Sequence, residues 1–370
     1  MFTYKEYPII RRDFSNISDF LDKGFTNEQL EWLCESENNT NQRDKIYRVK
    51  SSPWLFWTAE LYSFGKCYRR WLKWPYWLPI PVYSDHGADP DGKLYNHEIN
   101  NKAKYHLCFW STRYNSILAQ QKKIPIRVQH PWVTYRRSIG IEQSAKAAGC
   151  LVFVPHSVPG IRVLDFDNKF EKLILNLQNY FDKSEIKLCI HMHDVRNNLH
   201  AHLRKFNLPI FSLGNSSSSL FVDRFYKLIR HFRAGSSTNS ASQLYHCVEL
   251  GLDYYLAGEI VTNHNDFHSE FPIGKIAESK ERELALEMDN MIFRERVKTK
   301  EDAKKWINDV LGVDQPDTMK PEELRKIFIL ESIRLAPQIT FRILIYILRG
   351  ILPNRILELI KKSRKVFVSI

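Results

Sequence analysis

From Cys150 to Leu256 the chain alternates short apolar runs with longer amphipathic ones, and no other feature restricts its fold so strongly. Strands are expected at Cys150 to Val154, Ile186 to Ile190, Pro209 to Leu213 and Leu252 to Leu256, with helices at Lys169 to Phe181, Val195 to Phe206, Leu220 to Phe232 and Ala241 to Leu250. Strand–helix alternation of this kind implies a mostly parallel sheet covered by helices on both faces.

A less regular series precedes it. Ile80 to Tyr83, Tyr105 to Trp110 and Ile124 to Gln129 read as strands, with a helix at Thr112 to Gln121. The fold class expected is therefore α/β, with two Rossmann-like domains at 1–148 and 149–275 joined near Glu142 to Gly149, and a helical region at 276–370. A chain of 370 residues is long enough for two cores. Before Ile80 the chain reads as helix and loop. Asn27 to Cys34 is one helix, and Trp54 to Trp74 is a second whose Trp54, Trp57, Leu61, Phe64, Tyr68, Trp71 and Leu72 recur at helical spacing. That stripe fits a core face, or else an acceptor or membrane surface.

Composition narrows the function classes. A hydrophobic fraction of 44% with 26% charged residues belongs to a folded protein. Six scattered cysteines without a C-x-x-C pair argue against zinc ribbons and disulfide frameworks, and suit a reducing, cytoplasmic setting. Lys5 and Glu6 in the first ten residues, followed by Arg11, Arg12 and Asp13, do not fit a signal peptide. The net charge of +12 favours polyanionic partners. With no zinc-finger spacing or RNP-type aromatic pattern, nucleic acid is not expected among them.

Polar groups that end several strands of one sheet can converge on a single crevice. Asp85 and His86, in Ser84-Asp85-His86-Gly87, are candidate general bases, although an Asp there also suits a turn. His191 and His193 alternate at the end of a strand and can hold a phosphate. With His200 and His202 they invite a metal reading, but the second pair falls in a helical stretch and the set does not converge, so no metal is expected. Ser236, Ser237, Thr238, Asn239 and Ser240 precede the helix at Ala241, where hydroxyls and free N–H groups favour an anion. His156, Ser157 and Asn215 end other strands of the second series and complete the candidate donor site, while His130-Pro131 ends a strand of the first.

The order of these patches resembles that of GT-B glycosyltransferases, most nearly the bacterial sialyltransferase-like and capsule or lipopolysaccharide enzymes. Ser84-Asp85-His86-Gly87 looks like their acidic-acidic-Gly motif with one acid in place of two. His191-Met192-His193-Asp194 stands where their His-Pro motif would, without its proline, and Ser236 to Ser240 looks like their Ser/Thr-rich motif. The resemblance spans Ile80 to Gly258. It implies two domains facing a central cleft, a nucleotide-sugar co-substrate with no other cofactor, and an acceptor that is a surface glycan or lipid-linked sugar. Asp85, helped by His86, would then deprotonate the acceptor. A polyol-phosphate transferase, a nucleotide-sugar epimerase and a non-catalytic scaffold of a glycan assembly complex are the competing readings.

The segment Pro337 to Ile370 joins apolar residues to Arg342, Arg349, Arg355, Lys361, Lys362, Arg364 and Lys365. It is too short and too interrupted to span a bilayer, which needs about 20 apolar residues. It suits either a helix in an anionic membrane interface, giving a peripheral location on the cytoplasmic face, or a last helix packed on the core.

Overall fold

The computed structural model describes residues 10–35, 53–86, 94, 96–156, 161–163, 166–259, 263–265, 291 and 299–349. In chain order, helices α1 (Asn27–Glu35) and α2 (Phe64–Leu72) lead into β1 (Tyr83–Ser84), α3 (Asn96–Ile99), β2 (Tyr105–Cys108), α4 (Ser111–Ala119), β3 (Ile124–Arg127) and α5 (Pro131–Ser138). The three strands form one parallel sheet in the order β1-β2-β3. The chain continues through β4 (Cys150–Phe153), β5 (Ile161–Val163), α6 (Phe166–Leu177), β6 (Ile186–Ile190), α7 (Met192–Arg196), α8 (Leu199–Leu203) and β7 (Ile210–Ser212). It then forms α9 (Phe221–Ile229), β8 (Ala234–Ser237), α10 (Ser242–Leu250), β9 (Asp253–Leu256) and β10 (Asn263–Asn265). Helices α11 (Lys300–Val310), α12 (Pro321–Arg334) and α13 (Ala336–Arg349) follow.

The second sheet has five parallel strands in the order β7-β6-β4-β8-β9, and β5 pairs with β10 in a separate antiparallel ribbon. The protein is thus α/β with parallel sheets. In β4 all four residues are buried, as expected of a strand covered on both faces. The chain moves outward from β4 to β6 and β7, then returns to the other side of β4 with β8. Strand order reverses between β4 and β8, where ligands of open α/β sheets collect.

Strand β8 was not expected from its sequence, because Ala-Gly-Ser-Ser has no β-branched or aromatic residue. Its small residues answer to packing. A Cβ on Gly235 would stand 2.8 Å from the ring of Tyr254 in β9 and 3.3 Å from Cys247 Sγ in α10.

Two expected helices are interrupted. The aromatic stretch is α-helical only over Phe64–Leu72, after a 3-10 turn at Leu61–Ser63, because Tyr62 and Ser63 adopt left-handed backbone, with φ of 52° and 63°. Bonds to the second half of the chain offset that strain: Tyr62 N–H donates to Ser216 O at 2.8 Å, and Ser63 Oγ donates to Ser218 O at 2.8 Å. Of the aromatic stripe, Phe64, Tyr68 and Leu72 are buried whereas Trp57 is exposed, so it is only partly a core face. The helix expected at Val195 to Phe206 breaks at Asn198, whose φ is 62°.

One hydrophobic cluster runs through both sheets. Between them, Arg136 of α5 forms a buried two-pronged ion pair with Glu249 of α10, at 2.9 and 2.6 Å. Tyr135 donates to Asp223 at 2.7 Å, and the rings of His130 and His246 stand 4.3 Å apart. The C-terminal helices pack back on this body: Trp306 lies against Tyr245, and Phe328 meets Tyr68 and Trp74 beside the first sheet. Ile339 of α13 is buried with Phe56 and Tyr83. Among the described residues, no helix is long and apolar enough to cross a membrane.

Candidate functional site

Because β4, β6, β7 and β8 are parallel, the residues that follow them share one edge of the sheet. This brings together His156 after β4, His191 and His193 after β6, Asn215 after β7, and Thr238, Asn239 and Ser240 after β8. The rings of His156 and His191 are 4.5 Å apart, and those of His191 and His193 are 5.0 Å apart. Ser216 N–H donates to Met192 Sδ at 3.3 Å, tying the exits of β6 and β7 to each other.

His191 is the N-cap of α7, and its Nδ1 accepts the N–H of His193 at 3.3 Å. Burial, followed by the neighbouring His156, His193 and Arg196, holds its pKa well below the ordinary histidine value, so the ring is neutral at pH 7. A neutral imidazole whose Nδ1 accepts must carry its proton on Nε2. That Nε2 is buried and has no partner among the described residues. Asn215 repeats the pattern: its Oδ1 accepts the N–H of Ser217 at 2.9 Å, while its Nδ2 is buried without a partner among the described residues. Two buried donors therefore end adjacent strands without an acceptor among the described residues, an arrangement that suits an anion. His193, also lowered by burial and by Arg196, stands half-buried beside them.

The hydroxyl cluster is placed differently from expectation. Ser236 and Ser237 belong to β8, and their side chains are used within the protein: Ser236 Oγ donates to Tyr255 O at 2.9 Å, and Ser237 Oγ donates to Asn239 O at 2.6 Å. Thr238 Oγ1 donates to Asn239 Oδ1 at 3.2 Å. Helix α10 begins only at Ser242, after Ala241 as its N-cap. Asn239, half-buried, is the member of this cluster with the most solvent access. Ser157 lies outside the described residues.

On the first sheet, Asp85 corrects the expectation of an accessible base. It is fully buried; Oδ1 accepts His106 Nε2 at 2.9 Å, and Oδ2 accepts the N–H groups of Phe109 and Trp110 at 3.0 and 3.1 Å. The Arg113 guanidinium lies 3.5 Å from Oδ1 and also pairs with Glu98. So placed, the carboxylate fastens β1 to β2 and to the start of α4, with no face left for an acceptor hydroxyl. Ligand atoms of Asp85, His106 and Cys108 lie within 4.8 Å of one another, a metal-like spacing. The arginine beside the carboxylate opposes a cation there, and burial pushes the Cys108 thiol well above its ordinary pKa, away from the ligating thiolate.

His86 remains available. Its ring is half-buried against Trp57 at 4.8 Å and Tyr62 at 5.4 Å, and its buried Nδ1 has no partner among the described residues. Burial lowers its pKa to about 4, leaving it neutral at pH 7. Tyr62, which bonds to Ser216, carries the first sheet's His86 toward the exit of β7. Sequence reasoning missed Tyr62 and Met192, since an aromatic in an expected helix and a methionine between histidines carry no chemical signature. His130-Pro131 is structural: His130 caps α5 through Trp132 N–H at 3.2 Å, and its ring is buried.

No protein-family model matches this chain and no curated protein matches it.

Proposed function

We propose that the protein is a metal-independent glycosyltransferase of GT-B type, in which two Rossmann-like halves hold a nucleotide-sugar donor and an acceptor glycan or lipid-linked sugar. The observation that carries this reading is the pair of buried donors, His191 Nε2 and Asn215 Nδ2, which have no partner among the described residues and lie at the carboxyl edge of the five-stranded sheet. A buried donor without an acceptor costs about 1–3 kcal/mol, and a phosphate oxygen seated between the two relieves that cost. The same contacts hold the charge that gathers on the leaving phosphate as the sugar–phosphate bond breaks.

On the acceptor side the proton falls to His86. As the acceptor oxygen bonds to the anomeric carbon, its proton passes to the neutral ring and the nucleotide leaves with the bonding electron pair. A lipid-linked acceptor would place the protein peripherally on the cytoplasmic face of a membrane. The test is a thermal-shift panel of CMP, UDP, GDP and CDP on the full chain. One nucleotide is expected to raise the melting temperature by several degrees at millimolar concentration, and product analysis with its sugar and polyol derivatives then separates sugar transfer from polyol-phosphate transfer. The absence of a shift with all four would overturn the reading in favour of a non-catalytic scaffold.

A further inference from the structure

We propose that the outward face of α12 and α13 seats the protein on an anionic lipid surface. The two helices follow each other with one intervening residue, Leu335, and carry two stripes at spacings of three and four. Leu324, Phe328, Leu335 and Ile339 face the core. Leu330, Ile333, Pro337, Leu344 and Ile347 form the other stripe; Ile333 is 69% exposed, Leu330 61%, Ile347 54% and Leu344 48%. Large apolar side chains are usually scattered singly on a surface, and a continuous row of them marks a contact.

Charge selects the occupant. Lys326 continues the apolar stripe, Arg325 and Arg342 are exposed on the same two helices, Arg334 is held by Glu331 and Lys102 O, and residues 332–349 contain no Asp or Glu. The acidic pair Glu322 and Glu323 stands apart, in the first turn of α12. Exposed Tyr76 and Trp77 lie close by, since Tyr76 stands beside Tyr346 of α13. Apolar residues flanked by arginine and lysine, with aromatic rings at their margin, match the boundary between lipid headgroups and acyl chains. The net charge of +12 opposes a second copy of the chain as the occupant. The surface does not depend on the donor site, and the two readings fail separately.

The experiment is cosedimentation of the full chain with vesicles of phosphatidylcholine, alone or with one-third phosphatidylglycerol. Wild-type protein is expected to bind the anionic vesicles and to lose that binding as salt is raised. The triple variant L330Q/I333Q/L344Q is expected to bind at least tenfold more weakly, with an unchanged melting temperature and nucleotide shift. R342Q with K326Q should weaken binding only to the anionic vesicles. Undiminished binding by the triple variant, equal binding to both vesicle types, or a wild-type dimer in sedimentation that the triple variant abolishes would each overturn the proposal.

Discussion

The backbone N–H of His193 donates to Nδ1 of His191 at 3.3 Å, and this one bond decides which nitrogen of the ring faces the candidate donor site. Asparagine can cap a helix through its own oxygen but has nothing to place where Nε2 lies. His191→Asn should therefore keep the fold, with a melting temperature within a few degrees of wild type, and weaken nucleotide binding at least tenfold by calorimetry. Unchanged affinity would remove His191 from the phosphate site.

Asp85 and His86 are neighbours in sequence with opposite expectations. Asp85→Asn removes the charge from a buried carboxylate that meets His106, Arg113 and two backbone N–H groups, which should cost about 3 kcal/mol in urea denaturation. The nucleotide-induced shift should persist in that variant. His86→Asn should leave stability within about 1 kcal/mol and slow transfer by about two to four orders of magnitude, the usual worth of a general base. A stable but inactive Asp85→Asn would return the base to Asp85.

The second sheet was the more legible half of the fold, because fully buried parallel strands announce themselves as apolar runs; Ile186–Ile190 was expected with its observed ends. Strand β8 was not legible, since its Gly235 answers to a tyrosine on the neighbouring strand and not to local propensity. Helix α5 was passed over although Pro131 occupies its first turn, a known start signal. For the candidate site, position after a strand was enough to place His156, His191, His193 and Asn215 at one edge of the second sheet. Burial was not readable: what closes over Asp85 is His106, 21 residues away, together with the first turn of α4.

Buried histidines should make the fold acid-sensitive well above the carboxylate range. His130 and His246 are both 1% exposed; burial holds His130 well below the ordinary 6.5 and His246 at about 3. His86, at about 4, and His191 behave alike. Above pH 6.5 each is neutral folded and unfolded, and contributes no pH dependence. Below it the unfolded chain takes up protons that the folded one refuses, so each such histidine removes about 1.4 kcal/mol per pH unit until its folded pKa is reached. Asp13, lowered to about 2, adds its own loss only below the ordinary carboxylate value of 3.8. Urea midpoints measured from pH 7.5 to 4.5 should therefore fall below pH 6.5, and His246→Gln should flatten the fall. A constant midpoint over that range would contradict the buried, neutral state of these rings.

Two glycines with the same backbone sign should respond differently to substitution. Gly214, at the exit of β7 before Asn215, has φ of +75°, and a Cβ there would stand 2.7 Å from Leu33 O and 2.8 Å from Arg224 Nη1. Gly140 has φ of +67° with nothing within 4 Å of such an atom. At Gly140 only the left-handed backbone matters, so Gly140→Ala should cost about 1 kcal/mol and Gly140→Asn less, because asparagine tolerates that region. At Gly214 the carbonyl of Leu33 cannot yield without moving α1. Gly214→Ala should therefore cost about 2–3 kcal/mol, with Gly214→Asn no milder, and both should reduce the nucleotide shift by displacing Asn215. Rescue of Gly214 by asparagine, read as a wild-type urea midpoint, would show that α1 gives way and that the exit of β7 is not held by this contact.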